Sequence, residues 1–185
     1  MLSFLGPPLF EYKDELPREL QGKTFPVWGT VQLGTRPKEE LVAALEEEKV
    51  DTSIWTPFCF SRMTVASELR EVSLVKVSGL DLCFDKPVAL SAIVRRGMLL
   101  GLQPCLEEVA PQVALQISET TLRNSSPILF AMGDDVGEWE IWFKDGQLHL
   151  KGEPVVLSQV YYGGDPNLPM RPVRPETSIL FCSNL

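Results

Sequence analysis

A chain of 185 residues, 44% hydrophobic and 23% charged, is long enough to bury one core without metals or disulfides and short enough for a single domain. Its net charge of -8 at pH 7 repels polyanions, which disfavours nucleic acid and anionic membrane surfaces as partners. No apolar run approaches the roughly 20 residues of a membrane span, and the apolar N-terminus lacks a basic flank and is interrupted by Pro7 and Pro8, so the expected location is cytoplasmic.

In chain order, residues 1–23 mix apolar and charged side chains without a period and read as a loosely attached N-terminal arm. A single α+β domain is expected over 24–185. It opens with "TFPVWGTVQL", an extended segment rich in β-formers. "TRPKEELVAALEEEKV" is the first helix. Thr35 or Arg36 stands at its cap, Pro37 fits its first turn, and Glu39 and Glu40 suit the positive end of its dipole. Leu41, Ala44 and Leu45 form the stripe that faces a core, and Glu46, Glu47 and Glu48 read as a solvated end. "EVSLVKV" at 71–77 reads as a mostly buried strand. "DKPVALSAIVRRGMLLG" is the second helix, with Asp85 as N-cap, Pro87 in the first turn and Gly101 just past its end. Leu102 can then fold back onto the last turn. Short strands are expected at 112–118, 127–133, 137–143, 147–152, 154–162 and 177–183. Helices early and strands late argue for a largely antiparallel β-sheet with two main helices packed on one face.

The hairpin in "EWEIWFKDGQLHLK" is the most specific local expectation. Asp145-Gly146 favours a two-residue turn with positive φ, and that turn sets the register. Lys144 then faces Gln147, Phe143 faces Leu148, Trp142 faces His149, Ile141 faces Leu150 and Glu140 faces Lys151. Phe143, Leu148, Ile141 and Leu150 share a core face. Glu140, Lys151, Trp142 and His149 share a wet one.

Candidate chemistry is sparse. The cysteines stand at 59, 83, 105 and 182 with no C-x-x-C pair, and His149 is the only histidine, which argues against a zinc site. A cysteine nucleophile needs a base within hydrogen-bond reach. His149 belongs to the wet sheet face, whereas Cys105 follows a helix expected on the apolar face. Glu107 and Glu108 beside Cys105 would raise its thiol pKa. Cys105 therefore reads as a packing residue and His149 as a stacked surface residue. Asp134, Asp135, Glu138 and Glu140 lie close together in "GDDVGEWE", but Gly133 and Gly137 bracket the acids as in an ordinary turn, and the spacing matches no EF-hand loop. No phosphate-binding glycine loop and no G-x-S-x-G occurs. No catalytic residue, metal ligand or cofactor is assigned.

"YYGGDPNLPMRPVRP" at 161–175 is the most unusual stretch. Pro169, Pro172 and Pro175 recur at the period of a polyproline helix, and Arg171 and Arg174 stand between them in an acidic chain. Tyr161, Tyr162, Arg171 and Arg174 are the candidate partner-binding residues; the competing reading is a stiff connector to the last strand. The expected function is a non-catalytic binding or interaction module with an unknown protein partner. The alternative is a small enzyme built on Asp134, Asp135 and Glu138, in the form of a metal-dependent hydrolase.

Three stretches, "TFPVWGTVQLGT" at 24–35, "TVASELREVSLVKVSGLDLCF" at 64–84 and "LLGLQPCLEEVAPQVALQ" at 99–116, carry a resemblance. The chain resembles a family of uncharacterised proteins from uncultured candidate-phyla bacteria. In that family a similar helix precedes a leucine–glycine–leucine, a cysteine, and a glutamate–valine–x–proline before a strand. The likeness spans about the first two thirds. It departs at "WTPFCFSRM" and at "QPC", where Pro104 replaces the usual apolar residue. It implies a stand-alone bacterial cytoplasmic protein, and no activity, cofactor, partner or site residue comes with it.

Overall fold

A strand that carries apolar side chains at consecutive rather than alternate positions is buried on both faces. Two strands of this chain have that pattern: Arg70–Ser78 with Val72, Leu74, Val75 and Val77, and Ser178–Cys182 with Ile179 through Cys182, all buried. They sit side by side in the middle of the molecule. The computed structural model describes residues 16–54, 56–132, 138–154 and 172–183. Its seven strands are β1 (Val27–Leu33), β2 (Asp51–Thr52), β3 (Arg70–Ser78), β4 (Ile128–Phe130), β5 (Glu138–Lys144), β6 (Gln147–Glu153) and β7 (Ser178–Cys182). They form one sheet in the order β1-β3-β7-β4-β5-β6-β2. The pairs β4–β7 and β2–β6 run parallel and the other four antiparallel, so the sheet is mixed.

Five helices cover it: α1 (Lys38–Glu47), α2 (Thr56–Arg62), α3 (Leu90–Leu99), α4 (Val109–Gln116) and α5 (Glu119–Ser125). The chain is α+β, as its composition of elements implies, but the expected pair of helices on one face is corrected. Leu41 and Leu45 of α1 pack with Val72, Leu74, Ile128, Ile141 and Leu180, whereas Ile93 and Val94 of α3 pack with Val75, Val77, Leu129, Ile179 and Phe181. These two sets are the opposite faces of the same strands. A doubly apolar β3 and β7 require cover on both sides, and the two helices divide that work.

Two further expectations change. The stretch 112–118 is not a strand; most of it is the end of α4, which is buried at every position from Val109 to Ala114. A helix buried on nearly all sides loses the 3.6-residue apolar period, and Val113, Leu115 and Ile117 then imitate strand alternation. Pro111 is tolerated because it lies in the first turn. Helix α3 begins at Leu90, not near Asp85. Val88 exchanges backbone hydrogen bonds with Val173, 3.1 and 2.8 Å, and this bridge keeps the chain extended until Ala89. Its end is as expected: Gly101 has φ +82°, its N–H donates to Met98 O at 3.0 Å, and Leu102 N donates to Gly97 O at 3.0 Å. That pattern closes a helix with a left-handed residue, and Leu102 folds back into the core.

The hairpin register is as derived, pair for pair, from Lys144–Gln147 to Glu140–Lys151. Asp145 and Gly146 both have positive φ, 50° and 84°. Ile141 and Leu150 are fully buried, while Trp142 and His149 stack on the opposite face with ring centres 5.0 Å apart. Packing extends upstream of residue 24 as far as Leu20, which is fully buried. Among the described residues no helix is long and apolar enough to cross a membrane.

Candidate functional site: a groove between two helices

The residues singled out in the sequence do not assemble into one described site. Asp134 and Asp135 lie outside the described residues. Glu138 opens β5 directly opposite Glu153. Among the described residues no group of three histidine, cysteine, aspartate or glutamate side chains is placed to hold a metal. Tyr161, Tyr162 and Arg171 also lie outside the described residues. Arg174 is exposed, between the bridging Val173 and a turn closed by Thr177 N donating to Arg174 O at 3.0 Å.

Burial holds the thiols of Cys59 and Cys105 in their neutral form. Cys105 is buried with its Sγ 3.4 Å from Leu180 O and 3.5 Å from Cys182 Sγ. Burial, and then the hydrogen bond and charge of Cys182, push its thiol well above the ordinary range. The direction is the one expected from sequence, but the cause differs. Glu107 and Glu108 turn away to accept backbone N–H groups of Thr64, Gly34 and Ala66. Cys59 is pushed up to about 11, by burial first and by Glu107 and Glu153 next, with Arg62 opposing. His149 stands on the far face of the sheet, its Nδ1 2.7 Å from Asp51 Oδ2. It reaches neither thiol.

In the folded protein, alkylation near neutral pH should modify the exposed Cys83 first and reach Cys59, Cys105 and Cys182 only on unfolding. Peptide mass spectrometry reads this directly, and Cys105 labelling as fast as Cys83 would refute the packing role. Stability should also fall as pH rises from 9 towards about 11. In that window the unfolded chain releases the Cys59 proton while the folded chain still holds it.

A concave feature of the described residues lies elsewhere. Helices α1 and α2 flank a groove of about 430 Å³. Val42 and Leu45 of α1 and Pro57 and Phe60 of α2 supply its apolar lining, with Glu39, Glu46 and Ser61 among its polar residues. Several contacts hold the two helices in place. Thr56 Oγ1 donates to Leu150 O at 3.3 Å and accepts from Gly152 N at 3.1 Å, pinning α2 to β6. Gly152 has no side chain where α2 comes closest; a Cβ there would stand 2.9 Å from Cys59 Cβ. Phe60 rests on the buried Trp139 with ring centres 5.5 Å apart and planes at 51°. Lys38 at the start of α1 donates to Ser61 O at 3.0 Å and Met63 O at 3.5 Å, at the negative end of α2. Ile54, just ahead of α2, and Phe58 within it are large apolar residues left exposed, at 85% and 47%.

The sequence reading passed over α2 and saw "WTPFCFSRM" only as a departure from a family pattern. Its start signal was present: Ser53 and Thr56 ahead of Pro57, a hydroxyl cap followed by a first-turn proline. At seven residues the helix is too short to show a period. The fold is thus a two-faced α+β sheet carrying an apolar inter-helix groove on its α1 side. Comparison with known proteins finds no matching family model, no similar curated protein and no similar solved structure.

Proposed function

We propose that this chain is a non-catalytic binding module for a protein partner and that the α1–α2 groove is its contact surface. The observation that carries the reading is the groove itself: an apolar floor of about 430 Å³, framed by two helices pinned to the sheet. Rigid elements around an apolar concavity suit recognition, because little ordering entropy is lost on docking. The described thiols and His149 offer no nucleophile–base pair. The same reading places the module in the reducing cytoplasm of a bacterial cell, in keeping with four free cysteines.

Photo-crosslinking in cells tests it. A crosslinking amino acid at Ser61, on the groove, should give a discrete protein adduct, while the same group at the exposed Leu69, which is not among the groove-lining residues, should not. No adduct at Ser61, or equal adducts at both positions, would refute the assignment.

A further inference from the structure

Resting on the groove as contact surface, we infer that its occupant is a basic amphipathic helix of another protein, with apolar residues on the floor and two cationic side chains seven residues apart facing Glu39 and Glu46. Glu39 and Glu46 both line the groove, both are exposed, and they are separated by seven residues of α1. Seven residues are two helical turns, about 10 Å of rise, so both carboxylates stand on one side of α1. Val42 and Leu45 lie between them and belong to the same groove. Among the described residues that line the groove the one cation is Lys38, and it is turned onto the last carbonyls of α2. The rim therefore presents acid, apolar, acid along one line. A helix laid beside α1 with residues at i, i+3 or i+4, and i+7 repeats that spacing.

Charge separates this occupant from two others. A neutral apolar small molecule would use the floor alone and gain nothing from Glu39 and Glu46, which would stay hydrated at the rim. A second copy of the chain has a candidate helix of its own, since Arg95, Met98 and Leu99 are exposed on one side of α3. However, α3 and the groove lie on opposite faces of the sheet. Self-docking would be head-to-tail, forming a ring or a filament rather than a two-fold dimer, and the net charge of -8 opposes it.

The probe is a fluorescein-labelled helical peptide of leucine and alanine with lysines seven apart, beside a second peptide with glutamine in place of lysine. Fluorescence anisotropy reads binding to the full chain. Glu39→Lys with Glu46→Lys should weaken the lysine peptide at least about tenfold, the loss of two charge contacts at an exposed site. Glu68→Lys with Glu176→Lys, the same charge change away from the groove, should weaken it less than about threefold, and added salt should weaken binding to the unchanged chain. Equal loss in both double variants would mean general attraction to an acidic protein and would overturn the inference. Equal binding of the glutamine peptide, abolished by Val42→Glu, would also overturn it while leaving the groove as a binding surface. Concentration-dependent self-association in sedimentation, abolished by Arg95→Glu, would overturn it in favour of a second copy. No binding of either peptide, together with no crosslink at Ser61, would remove both the inference and the reading beneath it.

Discussion

Glu108→Ala should cost about 3–5 kcal/mol of folding stability, because several neutral donors lose their acceptor at about 1–3 kcal/mol each. Glu108 is 1% exposed, at the residue before α4. Its Oε1 accepts from Gly34 N at 2.8 Å and from Gln112 Nε2 at 2.9 Å, and its Oε2 accepts from Ala66 N at 2.8 Å. One carboxylate thus gathers the turn between β1 and α1, the loop before β3, and α4. The joint is tight: Gly34 has φ +68°, and a Cβ there would collide with Glu68 O. Alanine at 108 would leave the backbone N–H groups of Gly34 and Ala66 and one side-chain N–H of Gln112 without an acceptor. Glu108→Gln keeps one acceptor oxygen and should cost less, about 1–3 kcal/mol. The urea midpoint measures both, with an unchanged denaturant slope showing that the unfolded state is not altered. A cost below about 1 kcal/mol for Glu108→Ala would mean that water replaces the carboxylate and that it is no strut. The polar ladder continues beyond it. Gln112 Nε2 donates to Thr35 Oγ1 at 3.1 Å, and the Gln116 amide bonds both backbone groups of Gln32, 2.8 Å each, on the outer strand β1. That side-chain amide blocks part of an edge that could otherwise pair with another chain.

Trp139→Ala should be comparably severe, about 3–5 kcal/mol, because it opens a large cavity under α2. At roughly 2–4 °C per kcal/mol for a chain of this size, the loss is visible in a thermal melt. Trp139→Phe should be far milder, about 1 kcal/mol or less. The indole Nε1 is buried with no hydrogen-bond partner among the described residues, so removing it relieves a penalty that offsets part of the lost packing. A loss for Trp139→Phe well above about 1 kcal/mol would show that the N–H is satisfied in solution. Because Trp139 supports Phe60, the alanine variant should also weaken binding of the lysine peptide, while the phenylalanine variant preserves it.

Features enforced within a few residues were legible in the amino-acid order alone. Asp145-Gly146 admits one tight turn, and the period of two then assigns every side chain of β5 and β6 to a face, including Trp142 and His149. Leu41, Ala44 and Leu45 define α1 because that helix has one wet side, and Gly101 ends α3 because only glycine takes its φ without cost. Consecutive apolar residues in β3 and β7 signal burial on two faces, which requires helices on both sides of the sheet.

Tertiary contacts settled the rest. Helix α4 looks like a strand because burial on all sides erases its period, and it is helical because Glu108, Gln112 and Gln116 meet partners 74 to 84 residues away in sequence. Extended pairing of Val88 with Val173 delays α3, a contact no local signal encodes. The groove joins residues of α1 and α2 with Thr52, and its acidic line is visible only once Lys38 is seen to turn onto α2. Propensity and turn chemistry act over a few bonds, whereas the energy that places helices on a sheet comes from area buried between segments far apart in the chain.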